Sequence, residues 1–289
     1  RLGEFVRYLG DTPRLADFSI NTARAFVAHL QERDSRFDNH PLVPRKEGGL
    51  SPFTIHSHVR AIKAFASWLH EEGFTTTNVM LRLKRPSLPK PMIEVLTDEE
   101  LDRLVNSINP NTFLGLRLLT CTLLILDTGI RASELLGLKT DDINWQNDTL
   151  VVWGKGSKQR LVGFDPQTKK YLLRYINAFR PEPLNPNTCE VFLTVQGTPL
   201  SYNALAHMVK RAGQKADIPR LHPHLLRHTF AVKYLMNGGD VMTLKLILGH
   251  TTLEVTQMYM HLAESQVRMQ QQRFSPVSRL KISNRKRRS

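Results

Sequence analysis

Apolar residues early in the chain recur every three or four positions, the period of a helix with one buried face. Ile55, Val59, Ile62, Ala66 and Leu69 draw a single stripe, with His56, His58, Arg60 and Lys63 on the opposite face. Ser51 followed by Pro52 is a helix start, a capping hydroxyl and then proline at the first helical position, and Gly73 is the stop. A shorter helix is predicted over 21–30, where Ala23, Ala25, Phe26 and Leu30 fall at helical spacing. Residues 36–49 mix charges, prolines and glycines without period and predict a loop.

The pattern breaks at Arg85-Pro86-Ser87-Leu88-Pro89-Lys90-Pro91, which suits neither helix nor central strand. Thr97-Asp98-Glu99-Glu100 then reads as a capping box opening a new helix. Helices are predicted from Phe113 to Asp127, stopped by Gly129, and over Arg131 to Leu136. The period then shortens to that of strands. Thr149 to Trp153 and Gln159 to Phe164 flank a Gly154-Lys155-Gly156-Ser157-Lys158 turn, with Val191 to Thr194 as a third candidate strand. Helices return over 167–179, 201–215, 224–236 and 241–248. The expected fold class is mainly α with a small antiparallel β-sheet. The expected organisation is a helical unit over 1–85, a proline-rich linker over 86–94, a mixed α/β unit over 95–265 and a basic tail over 266–289.

Composition narrows the class. Hydrophobic residues make up 41% and charged residues 23% of 289, the balance of a globular protein with two cores. Cys121 and Cys189 are too few and too far apart for a disulfide scaffold, so a cytoplasmic setting is expected. Arg1-Leu2-Gly3-Glu4 does not open a secretory signal, and the start at Arg1 rather than Met predicts that residues precede it. The longest apolar run, Leu118 to Leu126, is too short to span a bilayer and reads as a buried helix, so no membrane is expected. The formal net charge of +14 suits a polyanionic partner, nucleic acid foremost, although ribosomal and membrane-surface proteins share it. The tail from Ser265 to Ser289 carries eight Lys or Arg and no acidic residue. It reads first as a solvated basic end, Arg285 to Arg288 above all, and second as a DNA- or partner-binding extension.

Four segments carry candidate chemistry. They are Thr128-Gly129-Ile130-Arg131-Ala132-Ser133-Glu134-Leu135, the Lys155 turn, His224-Leu225-Leu226-Arg227-His228, and Leu248-Gly249-His250 with Tyr259 nine residues on. Singly, each has a plainer explanation: Arg131 paired with Glu134 on a helix surface, Lys155 solvating a turn, His250 as a cap, Tyr259 as a core aromatic. His222, His224, His228 and His250 supply enough imidazoles for zinc, but Arg227 sits among them and no acidic residue stands by as a hydrolytic base. Together, the segments suit phosphoryl transfer without a metal. Guanidinium groups fork onto non-bridging oxygens, and histidine donates or exchanges protons near neutral pH. A tyrosine of ordinary pKa about 10 needs such cations to act as a nucleophile. A lysine on a hairpin can protonate the leaving oxygen.

In order and spacing these residues resemble the tyrosine recombinase (phage integrase) family, and the whole chain resembles its bacterial Xer-like members. The family's Arg, Lys, His-x-x-Arg, His and Tyr match Arg131, Lys155, His224 with Arg227, His250 and Tyr259. The resemblance implies a site-specific recombinase that cuts and rejoins DNA through a 3′-phosphotyrosyl bond to Tyr259. It implies Arg131 and Arg227 on the scissile phosphate, His224 and His250 assisting, Lys155 as general acid and Glu134 orienting a neighbour, with His228 structural. It also implies no ATP, metal or cofactor. Expected partners are double-stranded DNA at a specific site, a homotetramer holding two such sites, and accessory proteins. Arg60 and Lys63 on the Ser51–Leu69 helix are the candidate major-groove contacts, although a solvated face has the same pattern. Met260, Leu262, Val267 and Met269 suit docking on a neighbouring subunit or packing on their own. The rival readings are a type IB topoisomerase and a DNA-binding accessory protein without catalysis.

Overall fold

The computed structural model describes residues 1–36, 44–88, 94–154, 156, 158–249, 271 and 275. It divides into two compact units, Arg1–Pro91 and Met92–Ser289. Among the described residues no helix is long and apolar enough to cross a membrane.

The first unit packs three helices, α1 (Leu2–Leu9), α2 (Ile20–Glu32) and α3 (Pro52–Glu71), each against the other two. Ser19 and Ser51 cap α2 and α3, their hydroxyls accepting from the amides of Thr22 and Thr54. The predicted stripe of α3 is buried, and it meets Phe5, Phe26 and Leu30 in one core. Phe5 and Phe26 lie 5.0 Å apart, tilted against each other.

Three expectations fail in this unit. His58, assigned to the polar face, is buried, with Nε2 3.4 Å from Glu4 and the ring edge-on to Phe26. α1, which the sequence reading left out, covers it. The predicted loop over 36–49 carries a minimal antiparallel pair, β1 (Ser35–Arg36) with β2 (Lys46–Glu47); residues 37–43 lie outside the described set. Lys63 does not present its ammonium as a free DNA contact. Its Nζ donates to the carbonyls of Met80, Leu81 and Leu83 at 2.9–3.0 Å, using all three N–H groups to fix the turn after α3. Arg60, on the same helix, is exposed.

The second unit is organised around α5 (Phe113–Thr128), apolar on all sides and therefore central. α7 (Pro166–Arg174), α8 (Tyr202–Lys215) and α9 (Pro223–Met236) pack on it, with α4 (Asp98–Ser107) against α8. The capping box of α4 forms as predicted, Thr97 and Glu100 each accepting from the other's amide. α6 (Ala132–Leu136) follows α5 after a sharp turn, and α10 (Val241–Leu248) closes against α9. The helix expected over 167–179 loses regular geometry at Tyr175–Phe179, where the backbone widens into a π turn.

The sheet is β3 (Ile143–Asn144), β4 (Thr149–Trp153) and β5 (Gln159–Gly163), antiparallel in that order, with Leu150 opposite Val162. The candidate strand Val191–Thr194 is not a sheet member. Val191, Phe192 and Leu193 are buried and pair with backbone only locally, in an isolated antiparallel bridge of Leu193 with Pro199 and single hydrogen bonds from Val191 N to Leu138 O and from Leu200 N to Phe192 O. Side chains take the remaining places of a neighbouring strand: Arg180 donates to Val191 O, Tyr175 Oη accepts from Leu193 N, and the buried Arg117 donates to Leu193 O. An apolar run read from sequence does not distinguish those two solutions.

Candidate active site

Gly129 sets the entrance to the site. It ends α5 in the left-handed region at φ 62°, and a Cβ there would stand 2.3 Å from the Phe230 ring. Glycine meets both demands. The chain then buries Ile130 and delivers Arg131 as the N-cap of α6.

Glu134 lies one turn into α6 and faces Arg131. Its Oε2 accepts from the Arg131 backbone N–H at 2.8 Å, and its Oε1 from Arg131 Nη1 at 2.7 Å. A second arginine completes the arrangement. Arg160 of β5 donates Nη1 to Oε1 at 3.0 Å and Nη2 to Oε2 at 2.7 Å, a two-pronged pairing. The Glu134 side chain is 5% exposed. Burial alone would raise its pKa, but the hydrogen bonds from Arg160 and from the Arg131 amide outweigh it and hold the carboxyl below its usual 4.5.

Arg227 approaches from α9 and is 3% exposed. Its Nη1 donates to Gly129 O, two residues ahead of Arg131, and its Nη2 to Leu248 O at 2.9 Å. His224 lies one turn earlier on α9 and is exposed. Partial desolvation, then the neighbouring Arg227, His222 and Arg131, lower its pKa from 6.5. The imidazole therefore feels both arginines. His228 stacks on His224, ring centroids 5.4 Å apart, and its pKa falls to about 4, desolvation leading and the surrounding cations adding. His222 is an N-cap, its Nδ1 accepting from Leu225 N. Among the described residues no three His, Cys, Asp or Glu side chains group closely enough to hold a metal ion.

Arg131, Glu134 and Arg227 thus gather around one turn, with His224 one helical turn before Arg227 on α9. Lys155, His250 and Tyr259 lie outside the described residues. Gly154 N donates to Lys158 O and closes the hairpin that carries Lys155, and Gly249, left-handed at φ 62°, precedes His250. Arg60 and Lys63 belong to the other unit.

Arg160 escaped the sequence reading, although the strand holds a signal for it. Alternation on β5 turns Leu161 outward, 68% exposed, while Arg160 shares the inward face with buried Val162. A charge on the inward face of a strand needs a partner.

Residues 94–266 match the model of the phage integrase family. The chain belongs to the phage integrase family. Tyrosine recombinase XerD of Staphylococcus aureus (strain Mu50 / ATCC 700699) is 32% identical over 252 residues, 86% of this chain and 85% of that protein. Tyrosine recombinase XerC of Lactobacillus delbrueckii subsp. bulgaricus is 34% identical over 234 residues, 78% of each. Two solved structures share the fold of this integrase-family chain. The XerH site-specific recombinase bound to difH substrate in a pre-cleavage complex matches with TM-score 0.71 at 21% identity, over 94% of this chain and 76% of that one. The Tn1549 transposon integrase in complex with transposon right end DNA matches with TM-score 0.68 at 20% identity, over 94% and 91%. Family membership and these relatives place the chain among the tyrosine-type site-specific DNA recombinases.

Proposed function

We propose that this chain cuts and rejoins double-stranded DNA at a specific site through a covalent bond between Tyr259 and the 3′ phosphate. One observation carries the reading. Arg227 reaches the turn that presents Arg131, and His224 titrates under the influence of both arginines. That concentration of positive charge suits a phosphate whose negative charge grows at a five-coordinate transition state.

In the proposed step the Tyr259 hydroxyl passes its proton to a neutral histidine of the site as its oxygen attacks phosphorus, and the bond to the 5′ oxygen breaks. Lys155 gives that oxygen its proton. Arg131, the more exposed arginine, and Arg227, the buried one, neutralise the non-bridging oxygens, with His224 and His250 assisting. A 5′ hydroxyl attacking the phosphotyrosine reverses these bond changes, so the bond energy is kept and no ATP, metal or cofactor takes part. His228, largely neutral at pH 7, keeps the space behind His224 filled.

Residues 95–265 are the catalytic unit in this reading. Residues 1–85 contact the duplex, with Arg60 as the candidate and Lys63 as a structural residue. Four copies hold two DNA sites, the 266–289 segment docks between subunits, and accessory proteins set direction. The reaction takes place in the cytoplasm, where the DNA is. Incubation with a nicked duplex carrying the cognate site, digestion, and mass mapping of the nucleotide-bearing peptide test the assignment. The reading predicts the modification at Tyr259; a different modified residue removes that assignment.

A further inference from the structure

Glu134 accepts from four N–H groups, two of Arg131 and two of Arg160. Arg160 also donates Nε to Ile247 O at 2.6 Å, in the last turn of α10. Its guanidinium atoms Nη1 and Cζ lie 3.0 and 3.2 Å from where a Cβ on Gly249 would stand. The next carbonyl, Leu248 O, is held by Arg227. One planar group on β5 therefore spans the carboxylate beneath Arg131 and the end of the helix that runs into Gly249-His250.

We infer that Arg160 is a positioning residue of this site, acting on Arg131 through Glu134 and fixing the end of α10. The inference rests on the phosphoryl-transfer reading above. Its logic is electrostatic as well as steric. With Arg160 present, the single negative charge of Glu134 is shared between two guanidinium groups, and Arg131, 36% exposed, keeps positive charge to offer a phosphate. Without Arg160 the carboxylate falls to Arg131 alone, drawing its guanidinium inward and cancelling its charge. Lysine is not equivalent, because an ammonium cannot match both carboxylate oxygens and the Ile247 carbonyl in one plane.

The test uses the full chain and a nicked suicide duplex. Covalent adduct formation is followed at saturating protein, DNA affinity by gel shift and folding by thermal melting. Arg160→Gln is expected to slow adduct formation about a hundredfold, as a misplaced catalytic group does, with affinity changed less than about threefold. Adding Glu134→Gln removes the surplus negative charge, so the double variant is expected to cleave faster than Arg160→Gln alone. A purely structural role predicts a double variant no faster than the single one. Where Arg160→Gln fails to fold, Arg160→Lys decides, because it retains a cation beside Glu134: a folded, DNA-binding but slow variant supports the inference. Cleavage at the wild-type rate in either folded variant, or a double variant slower than Arg160→Gln, overturns it. Absence of any adduct in the wild type overturns the underlying reading instead, so the two failures are distinct.

Discussion

Arg227 donates a hydrogen bond to the carbonyl of Gly129 across 98 residues of sequence, so the turn that delivers Arg131 and the helix that carries His224 hold each other in place. The bond satisfies a buried guanidinium and a buried carbonyl together. Neither group can be left unpaired cheaply.

That relationship makes Gly129 a stability position as well as a site position. Gly129→Ala asks an L-residue to adopt φ 62° and sets a methyl against Phe230 and Leu248. The left-handed backbone and the overpacking together are expected to cost at least about 2 kcal/mol. Urea unfolding of the variant beside the wild type measures it; equal midpoints and slopes contradict it.

Glu134→Ala leaves two arginines facing each other without their carboxylate. Breaking a buried pair on one side is expected to destabilise by about 3 kcal/mol and to slow cleavage. The pH dependence has a definite sign. The folded pKa of Glu134 lies below its ordinary 4.5, so its contribution is present above pH 4.5 and is lost as pH falls below it. The wild type should lose more stability than Glu134→Gln between pH 5 and about 3. Parallel curves for the two proteins contradict this.

His228 acts with the same sign at higher pH. Its folded pKa is about 4 against 6.5 unfolded, so the unfolded chain takes up a proton first as pH falls. Stability is retained above pH 6.5 and declines toward pH 4. His228→Gln removes that contribution, and its melting temperature should fall less between pH 7 and 5 than the wild type's. His222 and His224 shift the same way, so the difference is partial. A variant that loses as much as the wild type rules out this role for His228.

Much of this was legible in the sequence because the signals were local. Ser51-Pro52, Thr97 with Glu100, and Gly129 each set an element boundary through their own backbone chemistry, and the boundaries fall where that chemistry puts them. Arg131, Glu134, His224 and Arg227 were picked out through the resemblance of their motifs to the family's signature. What stayed hidden depends on contacts between distant segments. Arg160 has no meaning until β5 faces α6 and α10. His58 looked solvated until α1 covered it, and Lys63 looked like a free cation until the chain turned its carbonyls back at Met80, Leu81 and Leu83. Val191–Thr194 had the composition of a strand, but its backbone pairing stops at an isolated bridge of Leu193 with Pro199, and arginine and tyrosine side chains meet the rest.

Arg60 and Lys63 separate two roles on one helix. Arg60→Ala should lower the slope of log affinity against log salt by about one, as loss of a phosphate contact does. Lys63→Ala should leave that slope unchanged and instead lower the melting temperature, because three carbonyls lose their donor. Titrations on cognate DNA at several salt concentrations distinguish them. An unchanged slope for Arg60→Ala removes it as a DNA contact.

The central claim, covalent chemistry at Tyr259, has one direct measurement. Wild type and Tyr259→Phe are each incubated with a nicked duplex carrying the cognate site, without added metal, then denatured and resolved by size. A denaturation-resistant protein–DNA adduct in the wild type, absent from Tyr259→Phe at equal DNA binding, is the predicted result. An adduct of equal yield in both proteins would contradict the account.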